Sequence, residues 1–265
     1  RRKGMDPHQI EDSFIGTFFP SPIAAIARRV KRSYIPAELN HVDADGGDAD
    51  QGHSEHCSTV TFESESGKVF FGRNFDWPHD ACLLVRVHDN RGIASVSVID
   101  LHYLNLNRSD LERTNLIDRF PLLFAPYYVM DGMNRKGVAI SEMSVEEAEA
   151  PVDEEKPKLI SATLMRIVLD YAESTEDAIM LIKNYNVCFP ETRVHFMVCD
   201  ATGDSRVVEF IDGEVQVTSS GNSWQVCTNS IVWNKSEEEK DSECDRYRLG
   251  SDHALRLQGL VEHAD

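Results

Sequence analysis

Hydrophobic and polar positions follow distinct patterns in the first part of the chain. In residues 9–35, Ile23, Ile26 and Val30 recur at helical spacing, which predicts that part of this segment is helical. Residues 41–52 contain four aspartates, three glycines and only one apolar side chain larger than alanine. Such a composition offers no hydrophobic face to bury, so we interpret this segment as a flexible, solvated linker.

A strand pattern begins after this linker. Residues 57–62 and 69–71 are rich in β-branched and aromatic side chains and flank a polar turn at Gly67, which predicts a β-hairpin. The same criteria predict further strands at residues 83–87, 93–99, 138–143, 195–199, 206–211, 215–218 and 225–228.

Two helices are predicted between the two groups of strands. Residues 161–171 place apolar side chains on one stripe, and residues 175–184 follow an N-terminal cap at Ser174. Residues 146–155 are acidic and are expected to form an exposed loop, whereas residues 253–265 are expected to be helical. Because regular β-α-β alternation is missing, we predict an α+β fold in which two antiparallel sheets carry helices on their outer faces.

Composition and charge narrow the classes of function. The chain has 45 acidic and 27 basic residues and a net charge of −18, which argues against nucleic-acid binding because that function needs a basic face. No run of 18 apolar residues occurs, so a membrane-spanning helix is not expected. Six cysteines without a C-x-x-C pair do not define a disulfide framework. The compartment stays open between the cytoplasm, which is favoured, and secretion or the periplasm if a signal peptide lies upstream.

The candidate chemistry centres on the predicted hairpin. Cys57 opens its first strand, and the returning strand brings Arg73 and Asp76 back alongside this cysteine. A thiol, a guanidinium and a carboxylate would then meet through hairpin geometry alone. The alternative interpretation is that Cys57 is a small core residue and that Arg73 and Asp76 form a surface ion pair.

The run from Cys57 to Trp77 resembles the start of the mature chain in the choloylglycine hydrolase and penicillin V acylase family. In that family a cysteine is followed by arginine 16 residues later and by aspartate 19 residues later, the spacing of Arg73 and Asp76 here. Further segments resemble family motifs in the same order, and they begin at Asp131, His195, Cys227 and Asp245. The resemblance spans residues 57–248.

The resemblance implies a four-layer αββα sandwich of the N-terminal-nucleophile hydrolases. Residues 57–265 would form the catalytic domain without its C-terminal part, and residues 1–56 would be a leader removed by self-cleavage between His56 and Cys57. The implied activity is hydrolysis of a linear carbon–nitrogen amide bond in a small molecule, such as penicillin V, an N-acyl amino acid or a conjugated bile acid. No cofactor or metal is implied, and members of the family often form homotetramers.

Roles for individual residues also follow from the resemblance. Cys57 would be the nucleophile and its freed α-amino group the general base, because an α-amino group titrates near neutrality whereas lysine holds its proton too tightly. Arg73 would stabilise the thiolate, and Asp76 would orient the amine. Asn229 would donate a hydrogen bond to the oxyanion, and Arg246 would balance charge beside the nucleophile.

Two further residues are weaker candidates for the oxyanion site or the substrate lining. The position of a second oxyanion asparagine in the bile-salt enzymes holds Ser144 here, whose hydroxyl or backbone N–H would donate with a different geometry. Asn134 is the other candidate, although we favour a turn role for it between Gly132 and Gly137.

Metal binding is an alternative interpretation at two places. A calcium loop aligned from Asp43 departs from the EF-hand pattern, since its last position holds Ser54 instead of glutamate. His53, His56 and Cys57 are close enough in sequence to supply three metal ligands, but a second paired cluster is missing.

Two other classes of protein also remain open. A papain-like protease would need a partner for the cysteine, and His195 is available, although it lies within a predicted strand. A relative that keeps the fold but acts only as a binding module is the stronger competitor.

Overall fold

The computed structural model describes residues 56–77, 81–88, 92–111, 115, 117–189 and 192–257. The helical pattern in residues 9–35, the acidic linker and the calcium-loop alignment from Asp43 therefore lie outside the described residues. Of the leader expected in residues 1–56, only His56 is among the described residues, so the leader stays a prediction.

The described residues contain twelve strands, most of which were predicted from sequence. In chain order they are β1 (His56–Glu63), β2 (Val69–Asp76), β3 (Cys82–Val87), β4 (Ser95–Asp100), β5 (Asp131–Asn134), β6 (Ala139–Ser144), β7 (Lys158–Ile160), β8 (Asn186–Cys188), β9 (Val194–Cys199), β10 (Ser205–Ile211), β11 (Glu214–Thr218) and β12 (Trp224–Cys227).

Helices occupy the intervals between groups of strands. The α-helices are α1 (Arg108–Leu111), α2 (Ser161–Tyr171), α3 (Thr175–Lys183), α4 (Glu237–Glu243) and α5 (Asp245–Leu257), and two 3₁₀ helices span Leu101–Leu104 and Phe120–Tyr127. The Ser174 side chain accepts a hydrogen bond from the backbone N–H of Asp177, so the predicted cap of α3 is confirmed. Within the described residues, no helix combines the length and the apolar character needed to cross a membrane.

The strands form two antiparallel sheets. One has three strands in the order β12-β1-β2, and the other has seven in the order β11-β10-β9-β6-β5-β4-β3. A separate parallel pair joins β7 and β8. The central strands β6 and β9 are buried almost throughout, because each is covered on both faces.

The two sheets pack face to face between two helical layers. Strand β1 contacts β6 and β10 contacts β12, so the sheets share an apolar core. That core includes Phe62, Met143, Met197, Val207 and Val226. Helix α2 packs on β5 and β6, and α5 packs on β12 and β1 from the opposite side. The predicted αββα sandwich is thus confirmed.

Two differences from the predictions have physical reasons. Strand β5 was not predicted, because Gly132 and Asn134 suggest a turn; in the structure a Cβ at position 132 would lie 2.8 Å from Leu169, so the glycine lets α2 approach the strand. Helix α5 begins earlier than the helix predicted at residues 253–265, and Gly250 lies inside it. A Cβ at position 250 would lie 3.0 Å from Val226, which shows the same close approach of helix to sheet.

Candidate active site

The hairpin of β1 and β2 places Cys57 at the end of the three-stranded sheet. The backbone register pairs Cys57 with Phe75 and Thr59 with Arg73. Side chains on antiparallel strands alternate between faces, so these four residues share one face of the hairpin. The Thr59 hydroxyl lies 2.8 Å from the Ser141 hydroxyl on β6, which shows that this face is turned toward the seven-stranded sheet. The side chain of Cys57 therefore lies between the two sheets.

Asn229 and Arg246 meet the backbone of Cys57. The Cys57 N–H donates to Asn229 Oδ1 at 2.8 Å, and Arg246 Nη1 donates to the Cys57 carbonyl oxygen at 2.6 Å. Arg246 Nη1 also donates to Asn229 Oδ1 at 2.9 Å, which closes a ring of contacts among the three residues. Cys57 itself is only 2% exposed. Arg246 reaches this point because it lies in the first turn of α5, which packs on β1 and β12.

Ser144 completes the same cluster from β6. Asn229 Nδ2 donates to both the carbonyl oxygen and the hydroxyl oxygen of Ser144, each at 2.8 Å. Because Oδ1 accepts two donors and Nδ2 meets two acceptors, the orientation of this carboxamide is fixed by its surroundings. The Ser144 hydroxyl accepts from Asn229, so its own proton remains free to be donated. The structure therefore brings Cys57, Asn229, Arg246 and Ser144 together.

Arg73 lies on the same hairpin face as Cys57, but its contacts run toward the seven-stranded sheet. Its Nη2 donates to the Glu142 carbonyl oxygen at 2.7 Å and its Nη1 to the Asn74 carbonyl oxygen at 2.7 Å. Its Nε lies 3.9 Å from Asp131 Oδ2, and its guanidinium lies 5.1 Å from the centre of the Phe75 ring. The charge is thus held on the hairpin face that carries Cys57, on a side chain that is 7% exposed.

Asp76 is placed differently from the other predicted residues. In the hairpin Asp76 pairs with His56, which is the residue before Cys57. Asp76 is exposed. Its carboxylate accepts a hydrogen bond from Asn74 Nδ2 at 2.7 Å. In the uncleaved chain its backbone is therefore next to the expected cleavage site, while its carboxylate bonds along its own strand.

Asn134 does not join this cluster. Its Nδ2 donates to the carbonyl oxygens of Leu169 and Ala172, and its Oδ1 accepts from the N–H groups of Lys136 and Val138. All of these partners are backbone groups of the β5–β6 turn and of the end of α2. The side chain is 4% exposed, supports the turn and is not among the residues that line the cleft described below.

A cleft opens beside Cys57 and encloses about 530 Å³, part of which is open to solvent. Its walls are mainly aromatic and apolar, and four rings contribute to them. The lining residues are Cys57, Phe75, Trp77, Tyr103, Tyr128, Met130, Glu142, Ser144, Ile160, Ser161, Ala162, Thr192 and Val194. The N-terminal turn of α2 closes one side of this cleft.

Glu142 is an acidic residue of this cleft to which the sequence alone assigned no role. It is 8% exposed, and its Oε2 has no hydrogen-bond partner. Burial raises the pKa of Glu142 to about 7; the Ser161 hydroxyl and Arg73 oppose this shift, and Asp131 adds to it. The signal in the sequence was an acidic residue inside strand β6, two residues before Ser144 and therefore on the same face.

Glu142 is expected to make the stability of the protein depend on pH. Folding raises its pKa from the model-compound value of 4.5 to about 7, so the folded protein holds this proton more tightly than the unfolded chain. The stabilisation is complete below about pH 4.5 and is lost as the pH rises to about 7. We expect the free energy of unfolding of Glu142→Gln, relative to the unmodified protein, to increase by up to about 3 kcal/mol across this interval and then to stay level.

Urea unfolding of both proteins at a series of pH values measures this difference. The exposed Glu65→Gln variant controls for the loss of one acidic side chain from the surface. A difference between the Glu142→Gln variant and the unmodified protein that did not change between pH 4.5 and 7 would contradict the prediction.

Metal ligation finds no support in the part of the chain that the structure describes, where no group of three or more His, Cys, Asp or Glu side chains is arranged so that it could hold a metal ion. His53, one of the three residues considered as ligands with His56 and Cys57, lies outside that part. His195, the partner considered for a papain-like enzyme, is fully buried, and its Nε2 contacts the carbonyl oxygen of Thr228 at 2.8 Å.

Comparison with known proteins gives a penicillin V acylase and a conjugated bile acid hydrolase among the matches. A penicillin V acylase of Pectobacterium atrosepticum is 30% identical over 117 residues, which cover 40% of this chain and 31% of that protein. A cysteine-to-alanine variant of conjugated bile acid hydrolase from Clostridium perfringens matches in structure with a TM-score of 0.51 and 21% identity, covering 67% of this chain and 54% of the other. An arginine-to-leucine variant of the same hydrolase gives a TM-score of 0.50 and 22% identity, covering 67% and 55%.

These relatives share the fold, and this chain spans about half the length of the solved structures and 31% of the acylase. The model of the linear amide C–N hydrolases of the choloylglycine hydrolase family matches residues 57–241, which is most of the chain. That match begins at Cys57 and ends just before Arg246. The chain therefore belongs to the choloylglycine hydrolase family of linear amide C–N hydrolases.

Proposed function

We propose that this protein hydrolyses a linear carbon–nitrogen amide bond with Cys57 as an N-terminal nucleophile. The single observation that carries the proposal is the cluster in which Asn229 Oδ1 accepts both from the Cys57 N–H at 2.8 Å and from Arg246 Nη1 at 2.9 Å. An active site of this type needs the nucleophile, its own nitrogen and charged or amide donors at one point.

The first step is cleavage of the His56–Cys57 peptide bond. The Cys57 sulfur attacks the His56 carbonyl carbon, the C–N bond breaks as the nitrogen gains a proton, and water then hydrolyses the resulting thioester. The product is a free α-amino group on Cys57, and the residues up to His56 form the leader. Asn229 Oδ1 already accepts from this nitrogen in the uncleaved chain, so it can accept from the amine without rearrangement.

The freed amine then acts as the general base. It takes the proton of the Cys57 thiol, and the thiolate attacks the carbonyl carbon of the substrate amide. Arg73 and Arg246 supply positive charge near the sulfur. Asp76, whose backbone pairs with His56 before cleavage, accepts a hydrogen bond from the new ammonium group and orients it.

The developing oxyanion needs preorganised donors, each worth roughly 3 kcal/mol. The Ser144 hydroxyl is one, because its oxygen accepts from Asn229 and leaves its proton free to donate. Asn229 Nδ2 is the second, with the oxyanion replacing one of its two Ser144 acceptors. The amine product leaves with the proton from the α-amino group, and water hydrolyses the acyl–Cys57 thioester to a carboxylic acid.

The acyl group of the substrate is proposed to be apolar or aromatic. The rings of Phe75, Trp77, Tyr103 and Tyr128 line the cleft and offer stacking surfaces, and Glu142 is the one ionisable carboxyl group among the lining residues. Phenoxyacetyl, phenylacetyl and medium-length aliphatic acyl groups fit this chemistry.

The test uses the natural-length protein and two measurements. Intact mass is expected to show loss of the residues before Cys57, and a panel of phenoxyacetyl, aliphatic acyl and bile-acid amides is expected to give hydrolysis of at least one member. A stalled acyl-enzyme trapped by acid quenching should add the acyl mass to the peptide that begins at Cys57. An uncleaved chain that turns over no amide would leave only the fold in common with the hydrolases and would favour a binding module.

A further inference from the structure

A buried cluster of His195, Glu209 and Cys227 lies behind the candidate active site. All three side chains are 0% exposed. Cys227 Sγ lies 3.4 Å from His195 Nε2, and His195 Nδ1 lies 3.3 Å from Glu209 Oε1. The sequence of groups is that of a cysteine–histidine–carboxylate triad, but no substrate reaches a fully buried sulfur. The cluster therefore has another task.

The hydrogen bonds of His195 and Glu209 indicate which of their atoms carry protons. The Thr228 carbonyl oxygen only accepts, so the contact of 2.8 Å to His195 Nε2 requires a proton on Nε2. The contact between Nδ1 and Glu209 then needs one further proton, held either by the imidazole or by the carboxyl group. Burial alone would lower the pKa of His195, but Cys227 and Glu209 raise it well above its usual value, which favours the imidazolium–carboxylate form.

The same pair holds both ends of the segment that carries Asn229. His195 Nε2 donates to the carbonyl oxygen of Thr228, the residue immediately before Asn229. Glu209 Oε1 accepts from the N–H of Val232, three residues after Asn229, at 2.8 Å. His195 lies on β9 and Glu209 on β10, two neighbouring central strands of the seven-stranded sheet. The loop after β12 is thereby fastened to the rigid sheet on either side of the site residue.

We propose that His195 and Glu209 are positioning residues that hold Asn229 against Cys57, an inference that rests on the proposed function. Asn229 joins the Cys57 nitrogen to Ser144 by contacts of 2.8 Å on each side, so a small shift of its loop breaks several bonds at once. Misplacement of a catalytic group by about 1 Å costs roughly 100-fold in rate. The pair acts through Asn229 and touches neither the substrate nor the sulfur of Cys57.

Glu209→Gln is the first test variant. Glutamine keeps the shape of Glu209 and an oxygen for the Val232 N–H, but it cannot share the additional proton with His195. We expect kcat to fall by about 10- to 100-fold while KM changes by less than about threefold, because the acyl-binding walls stay in place. His195→Gln keeps a donor for the Thr228 carbonyl and should retain more activity than His195→Leu.

A double-variant cycle separates positioning from general damage to the fold. If Glu209 acts through Asn229, adding Glu209→Gln to Asn229→Ala should lower kcat no further. The matched control is Asp170→Asn, which breaks a buried ion pair of 2.6 Å with Arg166 outside the Asn229 loop. It should reduce thermal stability and leave kcat within about twofold. If Glu209→Gln lowered kcat by the same factor in the unmodified protein and in Asn229→Ala, the proposal would be overturned. If the Glu209→Gln variant does not fold, Glu209→Asp takes its place in the cycle.

A readout that is independent of turnover keeps this inference distinct from the proposed function. The side-chain amide ¹⁵N–¹H signals of Asn229 should shift in Glu209→Gln and stay unchanged in Asp170→Asn. If the unmodified protein turns over no amide, the proposed function fails, while these signals still decide whether the pair positions Asn229. Unchanged signals in Glu209→Gln would overturn the positioning role.

Discussion

Replacing Cys57 with alanine is expected to abolish amide hydrolysis, with kcat/KM lowered on the order of 10⁵-fold, the scale on which hydrolases lose activity when the nucleophile is removed. The variant loses the sulfur that, in the proposed mechanism, attacks the carbonyl carbon and forms the acyl intermediate. Cys57→Ser keeps a nucleophilic atom but gives up the readily ionised thiol, so it should retain at most a small residual rate. Both variants are compared by steady-state kinetics on the best substrate of the panel.

The proposed self-cleavage complicates this comparison, because a variant at position 57 would keep its leader. A protease recognition sequence placed ahead of residue 57 removes the leader from every protein alike and restores a fair comparison. Cys188→Ala is the matched control, since this half-buried thiol lies outside the cleft. Its activity should equal that of the unmodified protein.

Cys244 is the rival thiol that the same experiment must exclude. Burial alone would raise its pKa, but hydrogen bonds from Thr228 and from the N–H groups of Tyr247 and Arg246 hold the pKa of Cys244 below its usual value. Cys244→Ser should leave kcat/KM within a few-fold. If Cys244→Ser were inactive and Cys57→Ala active, the nucleophile would have to be reassigned.

The sequence was sufficient for the parts of the fold that depend on local pattern. The β1–β2 hairpin follows from β-branched and aromatic residues on both sides of Gly67, whose φ of +76° suits a glycine turn. Helix α2 has the predicted bounds, because its apolar stripe and its length are both local properties. Strand β5 escaped prediction because only the packing of α2 explains why a glycine lies in its middle.

The assembly of the site depends on contacts that sequence pattern cannot reveal. Asn229 bonds to a residue 85 positions earlier and to another 172 positions earlier, and these partners meet only when both sheets and α5 are packed. The resemblance pointed to Asn229 and Arg246, but the structure shows what each atom bonds to. Burial of Glu142 and the pairing of His195 with Glu209 likewise depend on tertiary packing, which no local composition reports.

Asn229→Ala is expected to have the second largest effect, a fall in kcat of about 10²- to 10³-fold with a much smaller change in KM. The side chain makes four hydrogen bonds at 2.8–2.9 Å, two through Oδ1 and two through Nδ2. Alanine removes all of them, so the Cys57 nitrogen loses an acceptor and the oxyanion loses a donor in one step. Single-turnover kinetics with acid quenching would measure the acylation rate directly.

Ser144→Ala separates the role of the Ser144 hydroxyl from that of the Asn229 carboxamide. The substitution removes the hydroxyl, which is both an acceptor for Asn229 and a proposed donor to the oxyanion, while the contact of 2.8 Å between Asn229 and the carbonyl oxygen of residue 144 remains. If the hydroxyl donates to the oxyanion, acylation should slow by about 100-fold, as for loss of one oxyanion donor. If Ser144 only orients Asn229, the remaining carbonyl contact should keep the loss below about tenfold. If the Ser144→Ala enzyme acylates at an unchanged rate, Asn229 Nδ2 is the one side-chain donor left to the proposed oxyanion site. If the Asn229→Ala enzyme acylates at an unchanged rate, the carboxamide has no part in the mechanism.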